Sequence, residues 1–379
     1  MTPGRLARLV ALRHELHRFP ELSGQEAATA ARIADYLAQY APDDLLTGLG
    51  GHGVAAVFEG AAEGPTILIR AELDALPIEE LSGADHRSTV AGRGHLCGHD
   101  GHMTMVAALA GDLTQRPARG RVVLLFQPAE ETGKGARAVL DDPRFAVLAP
   151  DFAFSLHNTP GLPLGEVRLC RGPANCASRG MRVRLVGKTS HAAAPQDGIS
   201  PMQAMARLMP ALVALGPGGA LDDDFALVTL THATLGEPTF GIAPGEGALW
   251  ATLRTVSDAR MHTLCAEAEA LVRREAAAEG LAVEIDYDDI FDACTNHAQA
   301  VAALEQALIA EQTPWQPMDA PQLWSEDFGQ FGKDAKAAMF WLGAGEAQPQ
   351  LHNPDYDFPD ALIPVGAGIF RRVIRQMLG

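Results

Sequence analysis

Eight consecutive residues, His95-Leu96-Cys97-Gly98-His99-Asp100-Gly101-His102, carry three imidazoles, one thiol and one carboxylate. A second acidic cluster, Gln127-Pro128-Ala129-Glu130-Glu131, follows downstream. Mixed thiolate, imidazole and carboxylate donors are what a divalent transition metal of the zinc type selects. A free carboxylate beside such donors is what a metal-activated water needs as its base. Metal-dependent hydrolysis is therefore the first chemistry these residues suggest. Cys97 and His99, spaced by one glycine ahead of a helix, read as metal ligands. His95 and His102 read equally well as residues that support ligands or sit at a helix N-terminus. Adjacent residues point in different directions, so one of Glu130 and Glu131 can bind metal while the other faces substrate.

Several other residues have a plain reading beside a chemical one. His157-Asn158 follows a strand pattern and offers a further ligand. His352, in Leu351-His352-Asn353-Pro354, offers another. Asp74 ends the segment Arg70-Ala71-Glu72-Leu73-Asp74 and is either a turn cap or an acceptor that orients a ligand imidazole. His191, in Ser190-His191-Ala192-Ala193-Ala194-Pro195, is by itself a loop histidine.

The elements that must position these residues alternate. Helices are expected at the start of the chain, on Leu6, Leu9, Val10 and Leu12 or Arg13 and ended by Phe19-Pro20, and over about 24–40, with strands at 54–58 and 66–70, a helix at 103–113, a strand at 121–126, a helix at 134–140 and a strand at 152–156. The run Arg121-Val122-Val123-Leu124-Leu125-Phe126 is nearly continuously apolar, as in a strand buried on both faces. Such alternation predicts a mostly parallel α/β sheet sandwiched by helices, with ligands at the carboxyl ends of the strands. Near residue 177 the pattern changes. Met181-Arg182-Val183-Arg184-Leu185-Val186 alternates in the manner of a strand with one wet face. Helices at about 200–215 and 258–279 and strands at 227–230, 248–255 and 281–287 complete a small α+β unit. The α/β pattern resumes with a helix at 298–312, a strand at 337–342 and a helix at 364–378. The expected division is a discontinuous domain, 1–176 and 291–379, with an insert at 177–290.

With 379 residues, the chain is long for one core. Its formal net charge of −17 argues against nucleic acid or an anionic membrane surface as a partner. The five cysteines, Cys97, Cys170, Cys176, Cys265 and Cys294, are scattered and odd in number, which suits free thiols in a cytoplasmic protein rather than a disulfide framework. No apolar stretch suggests a signal peptide or a membrane span.

On these motifs, in this order, the chain resembles the aminoacylase and carboxypeptidase-G superfamily of dinuclear metallohydrolases. It is most similar to the branch holding hippurate hydrolase, the auxin-conjugate hydrolases and bacterial N-acyl-amino-acid amidohydrolases. The likeness spans nearly the whole chain, from His17-Arg18-Phe19-Pro20-Glu21-Leu22-Ser23 through Arg70–Pro77, Cys97–Asp100, Phe126–Glu131, Leu156-His157 and Ser190–Pro195 to Ser325-Glu326-Asp327-Phe328 and Leu351-His352-Asn353. The resemblance implies a site for two divalent ions (zinc, manganese, cobalt or nickel). Cys97 would bridge them, and His99, Glu131, His157 and His352 would complete the ligand set. Glu130 would be the general base and acid, and Asp74 would stand behind the ligands. The insert would be a lid that pairs with its twin in a homodimer, and His191 would stabilise the oxyanion in a neighbouring subunit's site. Arg254 matches an arginine able to hold a substrate carboxylate, a structural ion pair being the other reading.

Two positions depart from the branch pattern. Glu72 replaces an aspartate, and Gly241, in Phe240-Gly241-Ile242-Ala243-Pro244, replaces an asparagine expected to touch substrate or oxyanion. The function implied is hydrolysis of the amide of an N-acyl amino acid, the acyl group being acetyl or aromatic. The alternatives are a dipeptidase or carboxypeptidase of the same fold, a catalytically inactive dimeric homologue, and a thiol enzyme built on Cys97, which would leave the glutamate pair without a role.

Overall fold

The computed structural model describes residues 1–379, which form two compact units. The larger comprises Met1–Ala174, Thr295–Asp319 and Asp327–Gly379. Its eight-stranded sheet has the spatial order Asp44–Leu49, Gly53–Glu59, Arg121–Gln127, Thr66–Glu72, Phe152–Thr159, Lys336–Gly343, Val167–Cys170, Trp315–Met318. The central strands are the continuous apolar runs, and every residue of Thr66–Glu72 is buried. Four neighbouring pairs are parallel, and the central four strands all run the same way. Three pairs are antiparallel: the hairpin Asp44–Leu49 with Gly53–Glu59, its join to Arg121–Gln127, and Lys336–Gly343 with Val167–Cys170.

The helix His99–Leu113 buries almost its whole circumference, and its Ala, Met, Val and Leu side chains meet the sheet and the helices Pro3–Arg18 and Ile363–Leu378. The latter two are amphipathic caps on this core. Pro3–Arg18 starts on Thr2, whose hydroxyl accepts the Arg5 N–H, and stops at Phe19-Pro20. It buries Arg13 and His17 on its inner face, where both meet Asp100 at the start of the buried helix.

Three strands of this sheet escape the sequence patterns. Asp44–Leu49 contains Asp44 and Gly48, both poor strand formers, and a bulge falls between Thr47 and Leu49. Val167–Cys170 and Trp315–Met318 are four residues each. Pro317 is tolerated because its strand lies at the sheet edge.

The second unit comprises Asn175–Cys294 and Ala320–Glu326. Four antiparallel strands lie in the order Ala226–Leu235, Glu246–Thr255, Ala177–Val186, Ala282–Phe291. The alternating strand Ala177–Val186 turns Met181, Val183 and Leu185 into a core shared with the helices Met202–Leu215 and Asp258–Ala278. The segment 320–326, which the sequence pattern assigns to the other domain, packs here. Ser325 donates to the Cys176 carbonyl, and Asn175 to that of Trp324. No helix of the chain is long and apolar enough to cross a membrane.

Candidate metal centre

Parallel strands deliver their carboxyl ends to one side of a sheet, and here the chemistry-bearing residues gather at that side. Thr66–Glu72 leads into Asp74, and Arg121–Gln127 leads into Glu130 and Glu131. His157 lies within its strand, which continues to Thr159 instead of ending at 156 as the pattern suggested. The buried helix likewise starts at His99, one turn earlier than expected, so His99 occupies its first position. Gly98 precedes it at φ 90°, a conformation glycine adopts at little cost. A Cβ there would stand 2.1 Å from Asn158 Oδ1, so Cys97 and His99 are separated by the one residue type that fits. His352 comes from a turn at φ 66°, and its N–H donates to the Leu96 carbonyl at 2.8 Å, tying that turn to the Cys97 segment.

The donors converge in overlapping sets, each with its atoms within 4.8 Å of one another: Cys97, His99 and His157; Cys97, Glu131 and His352; His99, Glu130 and Glu131. One thiol thus borders two groups of donors. Cys97 Sγ lies 3.4 Å from His157 Nε2. His99 Nε2 lies 3.8 Å from Glu131 and 3.9 Å from Glu130, and His352 Nε2 lies 3.7 Å from Glu131. His99 Nδ1 donates to the Asp74 carbonyl at 2.8 Å, which aims Nε2 into the cluster, where it is buried with no hydrogen-bond partner. An orphaned buried nitrogen facing carboxylates and a thiol fits a cation of the zinc type.

The electrostatics agree with this. Burial would lower the His99 pKa, but the Asp74 hydrogen bond and the charges of Glu72 and Glu131 raise it to about 10. Burial and the carboxylates of Glu131 and Glu130 push the Cys97 thiol well up. Burial, with His102 beside it, holds His157 well below its ordinary value, and burial with His99 nearby lowers His352. Without a cation, then, His99 and Cys97 keep their protons while His157 and His352 are already neutral.

Behind the donors lies a layer of buried polar groups. Asp74 is no turn cap: it accepts from Ser23 Oγ at 2.7 Å and from the Glu131 N–H at 3.0 Å, and His99 beside it, with these two bonds, holds its pKa down against burial. Arg70, fully buried, contacts Glu72 and donates to Gln127 at 3.0 Å and Asp327 at 2.6 Å. His102 Nδ1 lies 2.7 Å from Glu72 and Nε2 2.6 Å from Asn158 Oδ1. Asn158 donates in turn to the Tyr356 hydroxyl at 2.7 Å. Asn158 and Tyr356 carry no sequence signal, whereas His102 could have been placed by its i+3 spacing from His99. His95 bonds none of the donors; its nitrogens have no hydrogen-bond partner, and burial lowers its pKa to about 4.

The remaining site candidates belong to the second unit. Ser190–His191 pairs with Ile242–Ala243, and the Ala192 N–H donates to the Gly241 carbonyl at 3.0 Å, so His191 and Gly241 are neighbours. The exposed His191 accepts the Ala193 N–H at Nδ1, leaving Nε2 as a free donor in the neutral ring. A Cβ on Gly241 would meet open space. Arg254 donates to the Leu323 carbonyl and Ser325 hydroxyl rather than forming an ion pair, and its burial lowers its pKa.

The comparisons with known proteins converge on one family. Residues 68–376 match the model of peptidase family M20/M25/M40. The chain is 29% identical over 365 residues to an N-acetyldiaminopimelate deacetylase of Anoxybacillus flavithermus, covering 96% of each chain. It is 28% identical over 366 residues to an N-acetylcysteine deacetylase of Bacillus subtilis, covering 96% of this chain and 95% of that one. Among solved structures it superposes on the Bacillus subtilis YXEP protein, described as a dinuclear metal binding peptidase, with TM-score 0.84, 25% identity and coverage of 100% and 99%. The chain belongs to the M20/M25/M40 peptidase family and is a hydrolase of amide bonds.

Proposed function

We propose that this hydrolase removes the acyl group from an N-acyl amino acid at a dinuclear metal centre. The observation that carries the reading is the convergence of Cys97, His99, Glu130, Glu131, His157 and His352 in overlapping donor sets. The relatives named for deacetylation of acetylated amino acids point to acetyl as the leading acyl group, with an aromatic acyl group as the alternative. Bound there, a pair of zinc-type ions supplies polarisation of the scissile carbonyl and a lowered pKa for the attacking water.

The chain's own residues do the rest. Cys97, which belongs to two of the donor sets, would hold the metal pair together with His99, Glu131, His157 and His352. Asp74 keeps His99 turned inward through its carbonyl. Glu130, buried beside Glu131 and His99, takes the proton of the attacking water and returns it to the leaving nitrogen. In the second unit, the lid of this reading, His191 offers Nε2–H to the developing oxyanion of a partner subunit in a homodimer, an effect worth roughly 3 kcal/mol for such donors. Arg254, whose hydrogen bonds go to neutral groups, takes the substrate carboxylate. Gly241 leaves an open place where an asparagine would add a polar contact.

The test is metal content by elemental analysis, paired with release of free amino acid from a panel of N-acetyl and N-aroyl amino acids and dipeptides after reconstitution with zinc, manganese, cobalt or nickel. About two ions per chain with turnover of N-acyl amino acids is the expected result. Turnover of dipeptides alone would replace the deacylase reading with a peptidase one. Absence of both metal and turnover would overturn it.

A further inference from the structure

The donor cluster depends on how two pieces of backbone are spaced. One is the turn Cys97-Gly98-His99, and the other is the strand residue His157. Between them lies Asn158, fully buried. Its Oδ1 rests on Gly98, at the place a Cβ would occupy. Its backbone carbonyl accepts His157 Nδ1–H at 2.8 Å, turning His157 Nε2 toward Cys97 Sγ. Its side chain spans from His102 Nε2 to the Tyr356 hydroxyl. His102 is anchored in turn on Glu72, which Arg70 holds. One carboxamide is therefore wedged between the two ligand-bearing segments and fixed from both sides.

We propose that Asn158 is a positioning residue that sets the distance between the Cys97–His99 turn and His157, and through it the affinity of the centre for its metal. The inference rests on the ligand assignment proposed above. Groups that orient metal ligands from behind typically change affinity by roughly 10- to 100-fold when removed. A smaller side chain at 158 lets the Gly98 turn relax toward the strand and frees His102. Asn158 touches no substrate in this scheme.

The experiment compares Asn158→Ala with Asn296→Ala. Asn296 is also buried in the larger unit and bonds the Cys170 and Met339 carbonyls and the Met339 N–H, away from the donors. Both variants lose a buried carboxamide, so both lower the melting temperature of the metal-stripped protein. Zinc affinity is measured by competition with a chromophoric chelator, and the thiolate-to-metal absorption band is followed with cobalt(II). Asn158→Ala is expected to bind zinc about 10- to 100-fold more weakly, with a shifted cobalt band, and Asn296→Ala to stay within about threefold of the parent. Wild-type affinity in Asn158→Ala, or equal losses in both variants, overturns the proposal. If Asn158→Ala does not fold, Tyr356→Phe, which removes only the hydroxyl that the carboxamide donates to, takes its place. It is expected to weaken zinc binding at least twofold, and unchanged affinity overturns the proposal. A parent protein whose cobalt form lacks the thiolate band would instead remove Cys97 from the centre, bringing down the ligand assignment and this inference together.

Discussion

Arg70 is the residue whose loss has the most calculable consequence. It is 1% exposed and makes contacts to Glu72, Gln127 and Asp327. Replacing it by methionine preserves most of the volume and removes the only guanidinium between two buried carboxylates. Removing one partner of a buried pair typically costs about 3–5 kcal/mol, because the remaining charge is left in a poorly solvated place. A domain's whole stability is about 5–15 kcal/mol, so Arg70→Met should lower the denaturant midpoint of the larger unit sharply without abolishing folding.

The pH dependence separates this cause from simple loss of packing. The Arg70 and His102 charges hold Glu72 well below the ordinary carboxylate range against the effect of burial. A depressed folded-state pKa contributes stability that is present above the unfolded value, near 4.3, and is lost as pH falls through the folded value. In the variant the same burial raises the carboxylate pKa, so lowering the pH neutralises the stranded charges and relieves the penalty. The deficit relative to the parent should therefore be larger at pH 8 than at pH 5. Denaturant melts of the chelator-treated proteins, followed by circular dichroism and tryptophan fluorescence, measure it. A deficit below about 1 kcal/mol at pH 8, or one that does not change with pH, would refute the account.

Three further outcomes follow from the centre. Glu130→Gln should reduce turnover by roughly 10²–10⁴-fold while metal content stays at the parent level; loss of metal would make Glu130 a ligand instead. Zinc uptake should release protons, since His99, with a pKa of about 10, and the raised Cys97 thiol both carry protons at pH 7 that a cation displaces, while His157 and His352 have none to give. Affinity then rises with pH, and calorimetry in buffers of different ionisation enthalpy should find nearer two protons than none. His191→Ala should lower kcat without lowering metal content, and mixing it with Glu130→Ala chains should recover activity; mixtures that stay inactive would rule out a site shared between subunits.

What the sequence made legible was local. Cys97 and His99 announce themselves by type and spacing, and the all-apolar strands could be placed because burial on both faces leaves a continuous hydrophobic run. The family resemblance extends that to the family and to an amide hydrolase, both of which the comparisons bear out. The missed strands were those whose pairing is won by position rather than propensity, as with Pro317 at the sheet edge. Asn158 and Tyr356 stand 198 positions apart, and neither type signals a role, so their bond exists only because the strand and the turn are brought together by the fold. Glu72 was visible as a departure from the branch pattern, but its reach to both Arg70 and His102 was not.

The cost of this arrangement says what it is for. The larger unit buries Arg70, Glu72, Asp74, His102 and Asp327 in one region, and apolar side chains of similar volume would serve folding at least as well. Apolar packing, however, cannot turn an imidazole. His99 faces inward because its Nδ1 has an acceptor at Asp74, and His157 because its Nδ1 has one at Asn158. Each of those acceptors is held by further bonds, from Ser23 and Glu131 on one side and from His102 and Tyr356 on the other. A cation demands donors fixed to within a fraction of an ångström. Hydrogen bonds supply that directional constraint, so on the proposed ligand assignment buried charge in this region is the means by which a strand-end cluster would become a defined coordination site.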